Sequence, residues 1–292
     1  MAESALVSIG LPTYNRAHVL RRAVESALRQ DYPQLELIIS DNASTDETEP
    51  LCRELARQDE RIRYFRQPVN RGATANFNEV LHHARGEFFL WLSDDDWLDA
   101  AYVAQCVQVL QAHHDYALVS GTMKYFRGES YSIEADTDFL QDSAQARVLA
   151  YFRQVRYNGV FYGVMRRAAV ATVPLQDVLG TDWFLVAAMA FKGKVRVLPH
   201  VFTNRASTGI SKNLVELALS YGLPAWQARH PVLVIAANAF KDISLLSPAY
   251  NTLGRPARLA LAAKAAQTIC AANSVFSWGI RTRLRRAWQS IR

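Results

Sequence analysis

Short apolar runs alternate with amphipathic stretches along the first 120 residues, and few folds are compatible with this alternation. Residues 5–11 form a nearly continuous apolar run, which is typical of a strand buried on both faces. Residues 17–30 repeat apolar side chains at helical spacing. The alternation predicts further strands at 35–40, 62–65, 87–92 and 116–120, and helices at 47–57, 73–84 and 98–113. Strands that alternate with helices predict an α/β fold with a mixed, mainly parallel sheet flanked by helices.

The second half of the chain has a less regular pattern. It predicts a loop-rich or mixed stretch at 121–142, a helix at 143–153, a strand at 159–166, a helix that follows 180–182 and ends at 192, and a strand at 194–198. From residue 213 onward the pattern is helical, with alanine-rich runs and breaks at prolines. We therefore expect a sheet-containing domain over 1–212 and a basic helical C-terminal region over 213–292.

Charge is distributed unevenly along the 292 residues, whose formal net charge is +6. No Asp or Glu follows Asp242, whereas eight Lys and Arg residues do, which leaves residues 1–242 with a net charge of −2. A basic, apolar tail that contains tryptophan suits an anionic membrane surface. A helical cap with a solvated arginine face explains the same composition, so both interpretations stay open. The tail carries no recognisable nucleic-acid motif, and we expect no nucleic-acid partner.

Composition, cysteine spacing and the N-terminal sequence limit the class of protein and its expected location. The chain is 50% hydrophobic and 21% charged, which excludes disordered, collagen-like and disulfide-scaffold proteins. Its three cysteines lie far apart without metal-ligand spacing, which indicates free thiols in a reducing compartment. The N-terminus lacks the features of a signal peptide, and residues 259–280 are too polar for a membrane span. We expect a cytoplasmic protein, with peripheral attachment to the inner face of the cytoplasmic membrane if the tail binds lipid.

Polar residues directly follow the predicted strands, at the sheet edge where ligands bind in open α/β folds. Three adjacent carboxylates, Asp94, Asp95 and Asp96, follow the strand at 87–92. Such hard oxygen ligands suit Mg²⁺ or Mn²⁺ shared with substrate phosphates, whereas a solvated loop with a helix N-cap is the structural alternative. Asp41 either accepts a hydrogen bond from a nucleobase or ribose, or belongs to a turn. Arg71 is either a solvated loop charge or a diphosphate ligand.

Four segments together resemble the family 2 glycosyltransferases of the GT-A fold. These segments are 7–16 (VSIGLPTYNR), 38–46 (IISDNASTD), 70–72 (NRG) and 92–97 (LSDDDW). With a later match the resemblance covers about residues 4–212, and it implies a donor half at about 1–120 and an acceptor half at about 121–212. It further implies a nucleoside-diphosphate-sugar donor, a divalent cation (Mn²⁺ or Mg²⁺) and inversion at the anomeric carbon.

The resemblance also implies roles for individual residues. The nucleoside pocket would be lined by Pro12, Thr13, Tyr14 and Asn15, with Asp41 reading the base and Arg71 near the donor phosphates. Asp94 falls nearer the ribose, and Asp95 or Asp96 nearer the metal, on the family's DXD-type carboxylates. The segment 92–97 has Leu92 where the common Asp-x-Asp-Asp variant has its first Asp, which leaves open which carboxylate coordinates.

Two later segments continue the resemblance. Residues 180–185 (GTDWFL) match the family's Glu-Asp segment, with Thr181 in place of Glu, and this match implies that Asp182 is the general base. Residues 203–211 match a loop that closes over the donor, in which Arg205 is retained and Ser207 replaces the usual His. Arg205 either neutralises phosphate charge or forms a lid salt bridge. Tyr157, Asn158 and Tyr162 are candidates to line the acceptor side.

Three functions are compatible with these residues. The leading hypothesis is an inverting, hexosyltransferase-type enzyme that glycosylates a glycan or a lipid-linked acceptor in bacterial surface-polysaccharide assembly. A sugar nucleotidyltransferase on a related fold would carry a glycine-rich basic loop after the first strand, where this chain has residues 12–15 (PTYN). A non-catalytic protein that binds nucleotide sugars or glycans is the third possibility, and the aspartates argue against it. The sequence leaves the nucleotide, sugar, acceptor and oligomeric state open.

Overall fold

The computed structural model describes residues 5–134, 137–155, 158–206, 214–220 and 222–289. These residues build a mixed sheet of nine strands with helices on both faces. The strands are β1 (Val7–Thr13), β2 (Leu35–Asp41), β3 (Ile62–Arg66), β4 (Phe88–Trp91), β5 (Asp96–Leu98), β6 (Tyr116–Arg127), β7 (Ser130–Glu134), β8 (Val164–Arg166) and β9 (Lys194–Ala206). Their order in the sheet is β3-β2-β1-β4-β8-β6-β9-β5, and β7 forms a hairpin with β6.

The helices alternate with the strands in the first half and cluster in the second. They are α1 (Ala17–Leu28), α2 (Thr48–Gln58), α3 (Ala73–His83), α4 (Tyr102–Ala112), α5 (Ala144–Gln154), α6 (Arg167–Val170), α7 (Thr181–Lys192), α8 (Leu214–Ser220), α9 (Ala225–Ala228), α10 (Pro231–Lys241) and α11 (Arg255–Gln289). Short 3₁₀ helices lie at Gly159–Tyr162 and Pro248–Tyr250, and a π helix at Asp242–Leu246 directly continues α10. Within the described ranges, no helix combines the length and apolarity that a membrane span requires.

The first four strands are parallel, as their apolar runs predict. β1 pairs with β2 on one side and with β4 on the other, and β2 pairs with β3. Every residue of β1 and β2 is buried, because helices cover both faces of this part of the sheet. Leu37 and Ile39 enter one apolar cluster, whereas Ile38 enters the other, as the alternation of side chains along a strand requires. The carboxyl ends of β1, β2 and β4 consequently meet at one edge.

Several predicted elements between 98 and 206 are wrong in type or extent. The predicted helix at 98–113 begins only at Tyr102, because residues 96–98 form β5 against β9. The mixed stretch at 121–142 contains the end of β6 and all of β7. Residues 159–166 form a 3₁₀ helix and the short β8 instead of one strand, and β9 extends to residue 206. Local sequence does not encode these features, because strands with distant partners depend on tertiary pairing.

The C-terminal helices share an apolar core with the sheet domain. Ile235 and Ala239 of α10 and Ala265 of α11 belong to the same buried cluster as Val148 of α5 and Phe184 of α7. Asn238 of α10 donates a hydrogen bond from Nδ2 to the Leu179 carbonyl at 3.2 Å. α10 and the first part of α11 therefore pack against α5 and α7, and the boundary of the C-terminal region as a separate domain stays a prediction.

Candidate active site

The carboxyl ends of β1 and β4 bring Thr13 and Asp94 together. Thr13 ends β1, and its hydroxyl donates a hydrogen bond to Asp94 Oδ2 at 2.8 Å. Arg16 Nε lies 3.8 Å from the other oxygen of the same carboxylate. Burial raises the pKa of Asp94 to about 6, and the neighbouring Asp95 charge adds to the rise. Asp94 is thus a hydroxyl-bound, nearly buried carboxylate at the edge where we predict the nucleotide.

Residues 12–15 span the end of β1 and the start of the loop that follows it. Pro12 and Thr13 are buried, whereas Tyr14 is 42% exposed and presents an aromatic ring to solvent. Asn15 has a φ of +54°, and its Oδ1 accepts a hydrogen bond from the Thr45 N–H at 2.8 Å. The left-handed backbone and this hydrogen bond hold the loops after β1 and β2 against each other. All four predicted nucleoside residues therefore lie at this edge.

Asp41 lies beneath this edge, with no exposed surface. Its carboxylate accepts hydrogen bonds from the Ser44 N–H at 2.8 Å and from the Tyr64 hydroxyl at 2.9 Å. Arg66 Nε lies 3.7 Å from Asp41 Oδ2. Burial and the Asp41 contact raise the pKa of Tyr64 well above its usual value, so Tyr64 stays a hydrogen-bond donor. The sequence offered no motif that could have identified Tyr64 as the partner of Asp41.

The three adjacent aspartates point to different partners. Asp95 is half-buried and accepts a hydrogen bond from the Ser93 hydroxyl at 2.8 Å. Asp96 has no exposed surface, and Arg205 Nε lies 3.0 Å and 3.3 Å from its two oxygens. This pair forms because β5 and β9 place Asp96 directly opposite Arg205. Across the described residues, no group of three or more His, Cys, Asp and Glu side chains is arranged to hold a metal ion.

Arg205 connects the aspartate segment to Tyr162, a candidate residue of the acceptor side. Its Nη2 donates a hydrogen bond to the Tyr162 hydroxyl at 3.1 Å, and its guanidinium carbon lies 4.9 Å from the centre of that ring. Burial raises the pKa of Asp96 to about 7 although Arg205 opposes the rise. The sequence predicts Arg205 either as a phosphate ligand or as part of a salt bridge, and the structure contains the salt bridge, with Asp96. Ser207, predicted on the same loop, lies outside the described residues.

Arg71 lies at the surface next to the loop after β2. Its side chain is 57% exposed, and Nη1 lies 3.8 Å from Glu79 Oε2. Its backbone N–H donates a hydrogen bond to Asn42 Oδ1 at 2.9 Å. A guanidinium with this exposure is accessible to a donor phosphate and equally compatible with a solvated charge, so the structure keeps both interpretations.

Asp182, the predicted general base, lies in the first turn of α7. Asn158 Nδ2 donates a hydrogen bond to Asp182 Oδ2 at 2.8 Å, and Asn158 Oδ1 accepts one from the Tyr151 hydroxyl at 2.8 Å. Burial raises the pKa of Asp182, whereas the Asn158 amide, two backbone N–H groups and the Arg205 charge oppose the rise. Asn158 has a φ of +53°, and its hydrogen bond from the Tyr151 hydroxyl holds the amide in place. Tyr157, named with it, lies outside the described residues.

Tyr162 is close enough to both Asp96 and Asp182 for their charges to act on its hydroxyl. Burial raises the pKa of Tyr162 to about 12, the charges of Asp96 and Asp182 add to the rise, and Arg205 opposes it. The Arg205–Tyr162 pair therefore links the aspartate segment to the neighbourhood of Asp182.

Comparison with known proteins identifies the family. The model of the family described as "Glycosyl transferase family 2" matches residues 8–173, more than half of the chain. The chain belongs to this family. The match confirms the family resemblance that the four sequence segments predict.

Two curated relatives match the first part of the chain. The GalNAc(5)-diNAcBac-PP-undecaprenol beta-1,3-glucosyltransferase of Campylobacter jejuni is 32% identical over 175 residues, which cover 54% of this chain and 56% of that protein. The putative colanic acid biosynthesis glycosyl transferase WcaA of Escherichia coli is 33% identical over 165 residues, 55% of this chain and 58% of that protein. The match therefore spans little more than half the length of either relative.

Two solved structures share the fold. The structure of residues 1–349 of TarS from S. aureus superimposes with a TM-score of 0.58 at 17% identity, covering 94% of this chain and 92% of that one. The mannosyltransferase PcManGT from Pyrobaculum calidifontis, in complex with GDP-Man and Mn²⁺, gives a TM-score of 0.58 at 21% identity, covering 99% and 84%. These similarities confirm the GT-A fold with C-terminal helices.

Proposed function

We propose that this glycosyltransferase transfers a sugar, with inversion, from a nucleoside-diphosphate sugar to a hydroxyl of a glycan or lipid-linked acceptor in bacterial surface-polysaccharide biosynthesis. The observation that carries the proposal is the chain of contacts that links the aspartates after β4 to Asp182. Arg205 pairs with Asp96 and donates a hydrogen bond to the Tyr162 hydroxyl. The charges of both Asp96 and Asp182 act on Tyr162. Displacement with inversion needs a site for the leaving diphosphate and a base on opposite faces of the reacting carbon, and the two carboxylate sites are proposed to fill these roles.

The strand edge is proposed to bind the donor. Residues 12–15 would hold the nucleoside, with Asp94 near the ribose. Asp41 retains acceptor lone pairs beyond those used by Ser44 and Tyr64, but because it has no exposed surface it can read the base only if the loop above it moves aside. Arg71 and Arg205 supply positive charge for the diphosphate, although Arg205 would share its guanidinium with Asp96.

Asp95 is the aspartate that best fits a divalent cation. A cation shared with substrate phosphates needs only one or two protein carboxylates, and Asp95 is half-buried beside the proposed nucleotide edge. Asp96 fits less well, because both its oxygens already pair with Arg205. When bound, Mg²⁺ or Mn²⁺ neutralises the charge that develops on the leaving diphosphate. The Mn²⁺ in the PcManGT structure supports a divalent cation by analogy of fold.

Asp182 is proposed to remove the proton from the acceptor. The acceptor oxygen forms a bond to the anomeric carbon while the bond from that carbon to the diphosphate oxygen breaks. The hydroxyl proton passes to Asp182 as a general base, and the nucleoside diphosphate leaves with the electron pair. A raised pKa suits this role because it makes the carboxylate a stronger base.

The relatives support an acceptor at a membrane. The name of the C. jejuni relative specifies a substrate linked to undecaprenol through diphosphate, and that of WcaA specifies colanic acid biosynthesis. A peripheral position on the inner face of the cytoplasmic membrane would give access to such an acceptor. The basic C-terminal region at 213–292 is the proposed contact with anionic lipid.

A thermal-shift panel tests the donor proposal. UDP, dTDP, GDP and CMP are each added with Mn²⁺, with Mg²⁺ or with a chelator, because a ligand that binds only the native state raises the melting temperature. We expect one nucleoside diphosphate to raise Tm by several degrees and to need the cation. If no nucleotide shifts Tm, the proposed donor site is contradicted. If a nucleotide shifts Tm equally with the chelator, the proposed cation dependence is contradicted.

A further inference from the structure

Helix α10 and the π helix that continues it expose an unusual number of large apolar side chains. Leu233 is 58% exposed, Phe240 38%, Leu245 71% and Leu246 48%. Leu233 and Phe240 are seven residues apart on α10, so they share one face of the helix. We call these four residues the α10 ridge. They lie beyond residue 173, where the family match ends.

The buried side of α10 faces the proposed acceptor site. Ile235 packs closely against Gly180. A side chain at position 180 would bring its Cβ to 3.0 Å from Ile235 Cγ2, so the glycine permits this close approach. Asn238 binds the Leu179 carbonyl at 3.2 Å, three residues before Asp182 in the chain. One face of α10 is therefore apolar and exposed, and the opposite face packs against the residues that lead into α7. A surface that docks on the α10 ridge would lie close to the segment that holds the proposed base.

The charges around the α10 ridge favour one kind of partner. Asp242 is the one acidic residue in the sequence from 222 to 273, and it is buried. Exposed basic side chains precede and follow it in the sequence, namely Arg229, Lys241, Arg255 and Lys264. Trp226 on the neighbouring α9 is 66% exposed, and tryptophan is enriched at the level of lipid headgroups. Apolar side chains with basic neighbours complement an anionic bilayer, which accepts both kinds of group.

We infer that the α10 ridge inserts into the surface of an anionic membrane and presents the Asp182 side of the site to a lipid-linked acceptor. This inference rests on the proposed function, in which residues 213–292 contact anionic lipid, and it names the residues that make the contact. The basic residues bind the headgroups, and the ridge side chains enter the headgroup and acyl boundary. This assignment places the membrane contact on α10 and the π helix, in addition to any contact made by the residues after 273.

Vesicle co-sedimentation of the full chain tests the docking. The vesicles consist of phosphatidylcholine alone or of phosphatidylcholine with about one quarter phosphatidylglycerol. We expect the chain to sediment with the anionic vesicles and to be released at high salt, because salt screens headgroup attraction. The double variant Leu233→Ser/Phe240→Ser should lose at least about tenfold in vesicle partition. Ile133→Ser on β7, a residue that is 50% exposed, is the matched control and should bind normally.

Other outcomes overturn the inference. Unchanged partition of the double variant places the contact elsewhere, and equal binding to neutral vesicles removes the electrostatic part. If wild-type chain is a dimer in sedimentation velocity and the double variant a monomer, the ridge is an interface between copies. If the double variant does not fold, Arg229→Gln/Lys241→Gln provides the same test through charge. Nucleotide thermal shifts of the double variant should equal those of wild type, so a failed donor proposal is distinguishable from failed docking.

Discussion

The aspartates after β4 and the aspartate at the start of α7 differ in what surrounds them. Asp96 pairs with a guanidinium, and Asp94 accepts a hydroxyl hydrogen bond with a second guanidinium nearby. The side-chain hydrogen bond shown for Asp182 comes from the neutral Asn158 amide. A neighbouring guanidinium opposes the rise in pKa that burial causes at Asp94 and at Asp96, whereas at Asp182 the leading opposing contact is the neutral Asn158 amide. The aspartates after β4 therefore belong to a site balanced by positive charge, and among the contacts shown Asp182 is held by a neutral group, which suits proton transfer.

Replacing the proposed base should have the largest effect. Asp182→Asn removes the proton acceptor, and we expect the transfer rate to fall by about 10³-fold while nucleotide-induced thermal shifts are retained. Initial rates at saturating donor and a thermal-shift titration measure the two quantities. Asp177→Asn, an exposed aspartate five residues earlier, is the matched control and should stay active. Loss of donor binding in Asp182→Asn would instead assign this residue to the donor site or to the fold.

Breaking the buried ion pair should act on stability. Arg205→Gln leaves Asp96 buried without its cation, and we expect a loss of about 3 kcal/mol in the free energy of unfolding. The pKa of Asp96, already about 7, rises further without Arg205. An acid with a raised folded-state pKa loses stability as pH increases, so the loss should be larger at about pH 8 than at about pH 5. Urea denaturation at both pH values measures it.

A second ion pair on the same strand provides the control. Arg196 and Asp138 are 2.7 Å apart, but their side chains are 42% and 31% exposed. Solvent screens such a pair, so Arg196→Gln should cost less than about 1 kcal/mol. Equal losses for the two variants would mean that burial does not distinguish Arg205.

Asp95→Asn should act on cation-dependent donor binding. We expect about tenfold weaker binding of the nucleoside diphosphate with Mn²⁺ or Mg²⁺, and little change with a chelator, since the cation bridges protein and phosphate. Isothermal titration under both conditions measures the difference. Asp31→Asn removes an exposed negative charge elsewhere and should leave binding unchanged. A similar loss with and without the cation would contradict the role of Asp95.

The smallest effect should come from Asn158. Asn158→Gly keeps a residue that accepts a φ of +53° and removes the amide that stabilises the Asp182 carboxylate. The pKa of Asp182 then rises. Because activity requires the ionised carboxylate, the acid limb of the variant's pH–rate profile should lie at higher pH than that of wild type. We expect a few-fold lower rate near pH 7 and full recovery at higher pH. A lower rate with an unchanged pH profile would indicate a purely structural role.

The sequence predicted the parallel half of the fold closely and the rest less well. β1 to β4 and their helices lie within about two residues of the predicted bounds, because continuous apolar runs and helical periodicity mark them locally. β5 and β7 had no such signal, since three or five residues become a strand only when a partner is present. The partners Tyr64 and Tyr151 belong to no motif, and tertiary packing alone brings them to Asp41 and Asn158.

The pairing of β5 with β9 also has a consequence for synthesis on the ribosome. Asp96 and its partner Arg205 are separated by 109 positions in the chain. While the polypeptide is growing, the carboxylate of Asp96 lacks the arginine that it needs for burial, and it stays in water until β9 has left the exit tunnel. The N-terminal strands can assemble earlier, because their partners arrive sooner. The proposed nucleotide-binding edge therefore reaches its final form only after most of the chain has been translated, which leaves the nascent N-terminal half accessible to chaperones.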